Sequence, residues 1–387
     1  MDCLFLCIKI NCSNYNLGGI MKNGLRMLSV VSAVFLVVSC SLGSFAFAAA
    51  AEKPTEVRFS AYYPDSYPVY KEGIAPWMKM VEKESNGQFV FKNYLNAVLH
   101  TVTQGFRAAM TDITDLTHAY PYTQPASFNL SHAYDLPFAL RNSHAGALIV
   151  ETLYPKYMKE EYEKMGVYCG FWAVTSLYSI ITKKPIQKLA DLKGLKIRSP
   201  GGYASEILEA LGAVPVIVAG PELYTAFQNG VVDGQMHMDP AIVTYKLQEI
   251  GKYILHLDIA RVGVPYALNK KFFDSLTPEK KRFFYNKLRQ GAQMAALGYA
   301  IDDQNAKKVL KEQNIVFSRL SDGEMEVVRK AVEAVQKKFI TANEAKGLPV
   351  KQLLEDIRVL NEKYKDLTQE QAMEMVTKNP IQGIINF

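Results

Sequence analysis

Cysteine is scarce in this sequence and unevenly placed. The 387 residues contain five cysteines, of which Cys3, Cys7, Cys12 and Cys40 all precede residue 50. Cys169 alone remains for the rest of the chain, so a disulfide framework is excluded there. We interpret Cys169, which lies in an apolar segment, as a small buried residue rather than a nucleophile.

Sequence motifs for catalysis and metal binding are also lacking. There is no HExxH, CxxC, Walker loop, GxSxG or GxGxxG. None of the six histidines lies three or four residues from another histidine or a cysteine, as helical metal ligands would. The sequence therefore predicts no catalytic residue, no metal site and no cofactor, and an enzyme is kept only as an alternative.

Charge of either sign is only weakly in excess. Lysine and arginine number 44 against 38 aspartates and glutamates, giving a net charge of +6 without any block of five basic residues. This balance argues against nucleic acid as a partner. Hydrophobic residues make up 49% of the chain and the mean hydropathy is −0.04, which excludes the disordered and multi-span membrane classes.

The first 48 residues are predicted to be an upstream extension followed by a secretory signal peptide that is removed. Lys22 and Arg26 supply positive charge, residues 27–38 form a short apolar run, and Ala46-Phe47-Ala48 is a typical cleavage site. Met21, directly before this segment, is a candidate for the true start. We therefore predict export to the periplasm.

Two other interpretations of this N-terminal segment remain open. Val37-Val38-Ser39-Cys40 loosely fits a lipoprotein signal, which would leave the protein anchored by a lipid on Cys40. A permanent N-terminal membrane anchor is the other, although an apolar run of residues 27–38 is shorter than the ~20 residues of a membrane span. The small-residue cleavage site favours release.

After the signal, the order of elements is typical of an α/β protein. Alternating strands and helices over 56–118, with short connections, predict a mainly parallel sheet covered by helices. Thr277-Pro278 opens a long helix that reaches about Gln313, and the remainder is mostly helical. Capping boxes are predicted at Ser321–Glu324 and Thr368–Gln371. With no Pro/Gly/Ser linker, two lobes would be joined by strands that cross between them.

The segment that ends at Arg198 is the most informative stretch for function. Strand alternation over 195–198 sends Arg198 to one face, directly before the turn Pro200-Gly201-Gly202. A guanidinium group offers paired donors that match a carboxylate. Taken alone, an arginine at a strand end is more often a surface ion-pair partner.

The sequence around Arg198 closely resembles the periplasmic solute-binding proteins of TRAP transporters, which are tripartite, ATP-independent carriers of organic acids. The resemblance extends over about residues 56–350 in consistent order. The segments that carry it are 191–198, 211–215 (LGAVP), 222–226 (ELYTA), 230–235 (GVVDGQ), Ser85-Asn86-Gly87, Asp115 and Asp135-Leu136-Pro137-Phe138.

This resemblance implies a two-lobe α/β periplasmic binding protein fold, with a strand hinge, a long bridging helix and a helical C-terminal part. The lobes would close on a ligand whose carboxylate pairs with Arg198. The closed form would then dock on a small and a large membrane subunit without performing chemistry. The predicted boundaries are lobe I over 55–175, completed by about 261–290; lobe II over 176–260, completed by about 305–350; the bridging helix over 277–313; and a C-terminal helical extension over 351–387.

The sequence departs from the family at two places that bear on the ligand. Members that bind sialic acids and dicarboxylates often carry a second arginine where this chain has Tyr178, so a second fixed cation is missing. Arg261 could replace it, although a hinge-surface charge is the simpler interpretation. Relatives often have a Glu-Asn-Pro-like turn where this chain has Gln235-Met236-His237-Met238-Asp239-Pro240, which offers Met236 and His237 as lining residues.

Aromatic residues concentrate where open α/β sheets place their ligands, at the carboxyl ends of strands. The candidates, each of which could instead be core, are Tyr62, Tyr63, Tyr120, Tyr122, Phe171, Trp172 and Tyr178. Together with Arg198, Pro200, Met236 and His237, they favour a monocarboxylate with an apolar or aromatic body. The alternatives are a C4-dicarboxylate or a sugar acid in the same family, or a periplasmic sensor or enzyme.

Overall fold

The structure is a computed structural model that describes residues 53–67 and 69–387. The predicted signal peptide, including Met21 and Cys40, lies outside the described residues. No helix in the described ranges is long and apolar enough to cross a membrane.

The described chain alternates short strands and helices and then becomes helical. In chain order the elements are β1 (Thr55–Ser60), α1 (Ala75–Glu84), β2 (Phe89–Tyr94), α2 (Gly105–Met110), β3 (Leu116–His118), α3 (Ser143–Tyr157), α4 (Lys159–Lys164), β4 (Val167–Val174), β5 (Tyr178–Thr182), β6 (Lys196–Ser199), α5 (Tyr203–Ala210), β7 (Val214–Ile217), α6 (Leu223–Gln228), β8 (Gly234–Met238), α7 (Asp239–Thr244), β9 (Tyr253–Leu255), β10 (Gly263–Asn269), α8 (Lys270–Asp274), α9 (Pro278–Glu312), β11 (Val316–Ser318), α10 (Asp322–Glu344), α11 (Val350–Lys363) and α12 (Gln369–Lys378).

The first lobe is built on a five-stranded sheet in the order β2-β1-β3-β10-β4. The first three strands are parallel, as the β-α-β pattern predicts. The prediction of a mainly parallel sheet is wrong for the rest, because β10 runs antiparallel to both β3 and β4. Strand β10 returns from the other lobe without a crossover helix on this sheet, and such a return permits antiparallel pairing.

The second lobe has a six-stranded mixed sheet in the order β11-β9-β5-β8-β6-β7. Strand β6 pairs in parallel with β7 and β8, so the carboxyl ends of β6 and β8 lie at the same edge. Arg198 is paired with Gln235 across β6 and β8. This register places Arg198 and the residues that follow Gln235 next to one another at that edge.

Two extended segments cross between the lobes and hydrogen-bond to each other. The segment after β4 crosses outward and the segment before β10 returns. Thr175 N donates to the carbonyl of Val262 at 3.1 Å, and Tyr178 N donates to the carbonyl of Ala260 at 3.0 Å. Paired strands of this kind form the hinge of a two-lobe binding fold.

The long helix α9 bridges the two lobes, close to the bounds that the sequence predicts. The Thr277 side chain caps it by accepting from Lys280 N, and Pro278 occupies its first turn, where a missing N–H costs nothing. The helix contacts β4 and α3 in the first lobe and α7 in the second.

The C-terminal helices pack against both lobes. Helix α10 packs on α5 of the second lobe, and α11 packs on α3 of the first. The capping box predicted at Thr368–Gln371 is confirmed. The one at Ser321–Glu324 is only half formed: Ser321 accepts from Glu324 N, but the Glu324 carboxylate accepts from Leu189 N at 2.7 Å instead. Glu324 thus attaches α10 to the second lobe.

Candidate functional site

A cavity of about 330 Å³ lies between the two lobes, at the carboxyl ends of strands from both sheets. Its first-lobe wall follows β1 and β3, and its second-lobe wall follows β6, β7 and β8. The lining residues are Tyr62, Tyr67, Val102, Thr103, Tyr120, Tyr122, Thr123, Tyr178, Arg198, Pro200, Gly201, Gly202, Ile217, Val218, Ala219, Gly220, His237 and Tyr245. Both lobes therefore contribute residues to one cavity.

Arg198 is the only lysine or arginine among these lining residues, and no aspartate or glutamate lines the cavity. Its side chain is 7% exposed, with Nε donating to the Val218 carbonyl and Nη1 to the Met236 carbonyl, both at 3.2 Å. Within the described ranges it has no carboxylate partner. A buried guanidinium that lacks an anion is costly, and its remaining N–H groups are donors that match an anion such as a carboxylate.

Tyrosine is the most frequent residue type in the lining, with six of the eighteen positions: Tyr62, Tyr67, Tyr120, Tyr122, Tyr178 and Tyr245. The hydroxyl groups of Tyr62 and Tyr120 are 3.4 Å apart, and the rings of Tyr120 and Tyr122 stack at 4.7 Å. Burial raises the pKa of Tyr62 and Tyr120 above the usual tyrosine value, so both stay neutral. The wall therefore combines apolar ring surface with neutral hydroxyl groups.

His237 contributes a neutral imidazole beside Arg198. Its Nδ1 lies 3.0 Å from Met238 N, a backbone N–H that can only donate, so Nδ1 is the acceptor. Burial, and then the charge of Arg198, lower the pKa of His237 well below its ordinary value. The neutral ring therefore carries its proton on Nε2.

The turn after β6 lets the first lobe approach the second closely. Gly201 and Gly202 have φ values of +106° and +57°, which residues with a Cβ atom rarely adopt. A Cβ atom on Gly202 would lie 2.8 Å from the Cβ atom of Tyr122 in the other lobe. The hydroxyl of Ser199 accepts from Gly201 N at 3.0 Å and fixes the turn. Glycine is thus required here both by backbone angle and by space.

The structure brings together seven of the eleven predicted site residues in this cavity: Tyr62, Tyr120, Tyr122, Tyr178, Arg198, Pro200 and His237. Met236 does not line it with its side chain, but its carbonyl holds the Arg198 guanidinium. The other three, Tyr63, Phe171 and Trp172, belong to the core of the first lobe.

The core positions of those three residues have simple causes. Tyr63 is fully buried behind Tyr62, with the two ring centroids 5.5 Å apart and its hydroxyl 3.0 Å from that of Tyr266. Strand β4 continues to Val174, so Phe171 and Trp172 lie inside the strand rather than at its end. The Phe171 ring stacks on Tyr266 at 4.2 Å, and the Trp172 ring packs against Tyr134 and Tyr162.

Arg261, the candidate second cation, lies on the returning hinge segment and does not line the cavity. Its guanidinium donates to the carbonyls of Thr175 at 2.8 Å and Arg141 at 3.0 Å. It therefore braces the hinge. No group of three or more metal-ligating side chains is found within the described ranges.

Sequence reasoning missed Tyr67 and Tyr245, which lie across the cavity with ring centroids 6.5 Å apart. Tyr67 is in the loop after β1, and its only signal is its place between two prolines near a strand end. Tyr245 caps the carboxyl end of α7, where no local pattern separates a lining tyrosine from an exposed one.

Comparison with known proteins places this geometry in a family. The sequence profile described as bacterial extracellular solute-binding protein, family 7, matches residues 59–343. A solute-binding protein of Verminephrobacter eiseniae is 25% identical over 244 residues, which are 62% of this chain and 72% of the relative. The C4-dicarboxylate-binding periplasmic protein DctP of Rhodobacter capsulatus is 26% identical over 227 residues, which are 58% and 68% of the two chains.

Solved structures share the fold over nearly their whole length. A TRAP periplasmic solute-binding protein from Bordetella bronchiseptica with bound (R)- and (S)-mandelate has a TM-score of 0.74 at 24% identity, over 80% of this chain and 99% of its own. A TRAP solute-binding protein from Rhodoferax ferrireducens with copurified benzoate has a TM-score of 0.76 at 21% identity, over 81% and 99%. The sugar-acid-binding protein of Advenella mimigardefordensis with galactonate has a TM-score of 0.72 at 22% identity, over 80% and 99%.

Proposed function

The chain belongs to family 7 of the bacterial extracellular solute-binding proteins, the periplasmic solute-binding proteins of TRAP transporters, and we propose that its cavity binds an organic acid with one carboxylate and an apolar or aromatic body. The observation that carries the proposal is the combination of one buried, anion-free cation, Arg198, with six tyrosines among the eighteen lining residues. The guanidinium would hold the carboxylate through its remaining N–H groups.

The charge balance of the lining favours one carboxylate over two. Arg198 is the single cation there, and His237 is neutral. A second carboxylate of a C4-dicarboxylate would be buried without a counter-charge, which costs several kcal/mol per ion after relaxation. Arg261 cannot supply that charge from its place on the hinge.

The size and surface of the cavity favour a compact ligand body with a ring. Binding cavities for small molecules span roughly 300–1,000 Å³, so about 330 Å³ is at the small end of that range. Rings of Tyr62, Tyr67 and Tyr120 can cover an apolar or aromatic body. The mandelate and benzoate bound by proteins of the same fold support this choice.

A sugar acid is the second candidate, because the lining also carries many hydroxyl groups. The six tyrosines are joined by Thr103 and Thr123, and together they could bond several ligand hydroxyls. Galactonate in a protein of the same fold supports this alternative.

The family consists of solute-binding transport proteins rather than enzymes, and we propose the matching role here. Residues 22–48 would direct export to the periplasm, and the loaded protein would deliver its acid to the small and large TRAP membrane subunits. A sensor that reports to a membrane kinase would use the same cavity. Neighbouring genes distinguish the two, since permease subunits indicate transport and a histidine kinase indicates sensing.

Calorimetric titration of the purified protein with an acid library tests the proposal. Aromatic monocarboxylates should bind, whereas succinate and uronates should bind weakly or not at all. Arg198→Ala should weaken binding by at least roughly 150-fold, since it removes two hydrogen bonds to a charged group, each of which contributes about 1.5–3 kcal/mol. Arg198→Lys is the matched control, because it keeps the charge but loses the paired geometry, and we expect it to lie between the two.

Two outcomes would contradict the proposal in different ways. Tight binding of succinate or a uronate, with none of an aromatic acid, would refute the predicted ligand body. An Arg198→Ala variant that binds its acid as tightly as wild type would refute the role of Arg198.

A further inference from the structure

His237 uses only one of its two ring nitrogens within the protein. Nδ1 accepts from Met238 N, whereas Nε2 has no hydrogen-bond partner among the residues that the structure describes. The residue is 6% exposed and lines the cavity. Nε2–H is therefore a donor that the protein itself leaves unused next to the ligand space.

The imidazole is also held firmly in place. The rings of Tyr178 and Tyr245 both neighbour it in the cavity wall, each with its centroid 5.8 Å from that of His237. Their planes are inclined to the imidazole by 39° and 35°. A donor fixed by two neighbouring rings and a backbone hydrogen bond is pre-organised for one acceptor position.

The guanidinium of Arg198 lies beside this donor. Its Nη1 donates to the carbonyl of Met236, which belongs to the peptide group that joins Met236 to His237. The register of β6 and β8 also places Arg198 near His237. Arg198 pairs with Gln235, and His237 is the next residue on the same face of β8. A carboxylate on Arg198 would thus place its neighbouring carbon near Nε2–H.

We propose that His237 donates its Nε2–H to an oxygen on the carbon next to the ligand's carboxylate, so that the site prefers 2-oxo and 2-hydroxy acids to acids without that oxygen. This inference rests on the proposed function, in which Arg198 holds the carboxylate. A keto oxygen only accepts hydrogen bonds, and it needs a fixed donor such as this one.

The neutral state of His237 is consistent with this role. Burial and the adjacent Arg198 disfavour a second positive charge, and no acidic residue lines the cavity to stabilise one. A neutral imidazole supplies a hydrogen-bond donor but no positive charge, so it suits an uncharged oxygen better than a second carboxylate. The hydroxyl or keto group of the ligand is such an oxygen.

Three acids with the same skeleton test the inference: 3-phenylpropanoate, 3-phenyllactate and phenylpyruvate. They differ only at the carbon next to the carboxylate, which carries two hydrogens, a hydroxyl or a keto oxygen. By calorimetry at pH 7.5, wild type should bind the two oxygenated acids roughly three- to tenfold more tightly than the plain acid, as one neutral hydrogen bond provides.

Two variants remove the donor in different ways. His237→Phe keeps the ring shape but has neither nitrogen, whereas His237→Asn keeps an acceptor for Met238 N–H and is too short to reach the Nε2 position. In both, the preference for oxygenated acids should disappear, so that the three acids bind the variant with similar dissociation constants. If the first variant does not fold, the second still gives the measurement.

The other outcomes are separable. A preference that survives in both variants would overturn the inference. Equal weakening of all three acids would also overturn it, because His237 would then bind the carboxylate together with Arg198. If wild type binds none of the three acids but retains a sugar acid, the proposed function itself has failed.

Discussion

Gly202→Ala tests whether the contact across the cleft belongs to the ligand-bound state. Gly202 has φ of 57° and ψ of −144°, a region that residues with a Cβ atom rarely adopt. This strain should lower the free energy of unfolding by about 1–3 kcal/mol whether the lobes are open or closed. It acts within the second lobe alone.

The added methyl group has a second effect that depends on closure. It would lie 2.8 Å from the Cβ atom of Tyr122, which is near the backbone and cannot swing away as a side-chain tip could. Overpacking of this kind costs about 1–3 kcal/mol. Because this cost arises only when the lobes meet, it should appear as roughly 5- to 150-fold weaker ligand binding.

Calorimetry on the best-binding acid gives the affinity, and urea unfolding without ligand gives the stability. Gly194→Ala is the matched control: Gly194 also has a positive φ, of 76°, but a Cβ atom there would meet nothing within 4 Å. The control should lose stability and keep its affinity. If Gly202→Ala loses stability yet binds with the wild-type dissociation constant, the contact between Tyr122 and Gly202 is not part of the bound state.

Two further predictions concern the interior of the first lobe. In the wild type, Arg289 Nη1 lies 2.8 Å from the carboxylate of the buried Glu151. Arg289→Met leaves Glu151 without a counter-charge and should lower the free energy of unfolding in urea by about 3–5 kcal/mol, much of which adding Glu151→Leu should restore. A loss below about 1 kcal/mol would refute the importance of the pair. Burial lowers the pKa of His118 to about 3, so the unfolded chain takes up the proton first and stability falls as pH drops below about 6.5. The free energy of unfolding lost through this group should reach about 2 kcal/mol at pH 5. His118→Phe should therefore lose correspondingly less stability than wild type between pH 7.5 and 5. An equal loss in both proteins would contradict the role of His118.

Local sequence was sufficient where the structure depends on neighbours along the chain. The long helix α9 begins at a Thr-Pro pair and has the predicted bounds to within a residue. For Arg198 the alternating strand predicts the face and Pro200-Gly201-Gly202 the turn that follows. The pattern alone did not single it out as a binding residue; the resemblance of the surrounding segments to a family did.

Sequence reasoning was insufficient where position depends on the other lobe. Tyr245 reaches the cavity only because α7 follows β8 at the edge that faces the first lobe. Phe171 and Trp172 were placed at a strand end, but pairing with β10 extends β4 to Val174 and leaves both in the core. The same pairing makes the first sheet mixed, because a strand that returns from another lobe has no local signal of direction.

Under the proposed function, the electrostatics of Arg198 would connect ligand binding to closure of the lobes. In an open cleft water would solvate the guanidinium, whereas in this structure Arg198 is 7% exposed and its guanidinium donates to two carbonyl oxygens. Closing without an anion is therefore unfavourable, whereas closing on a carboxylate replaces water by charge-assisted hydrogen bonds of about 1.5–3 kcal/mol each. Moving an equilibrium from 1:99 to 99:1 needs about 5.5 kcal/mol of differential affinity. In the proposed function, two such bonds with the proposed donor of His237 added would supply a free energy of that order, enough for the anion to drive closure.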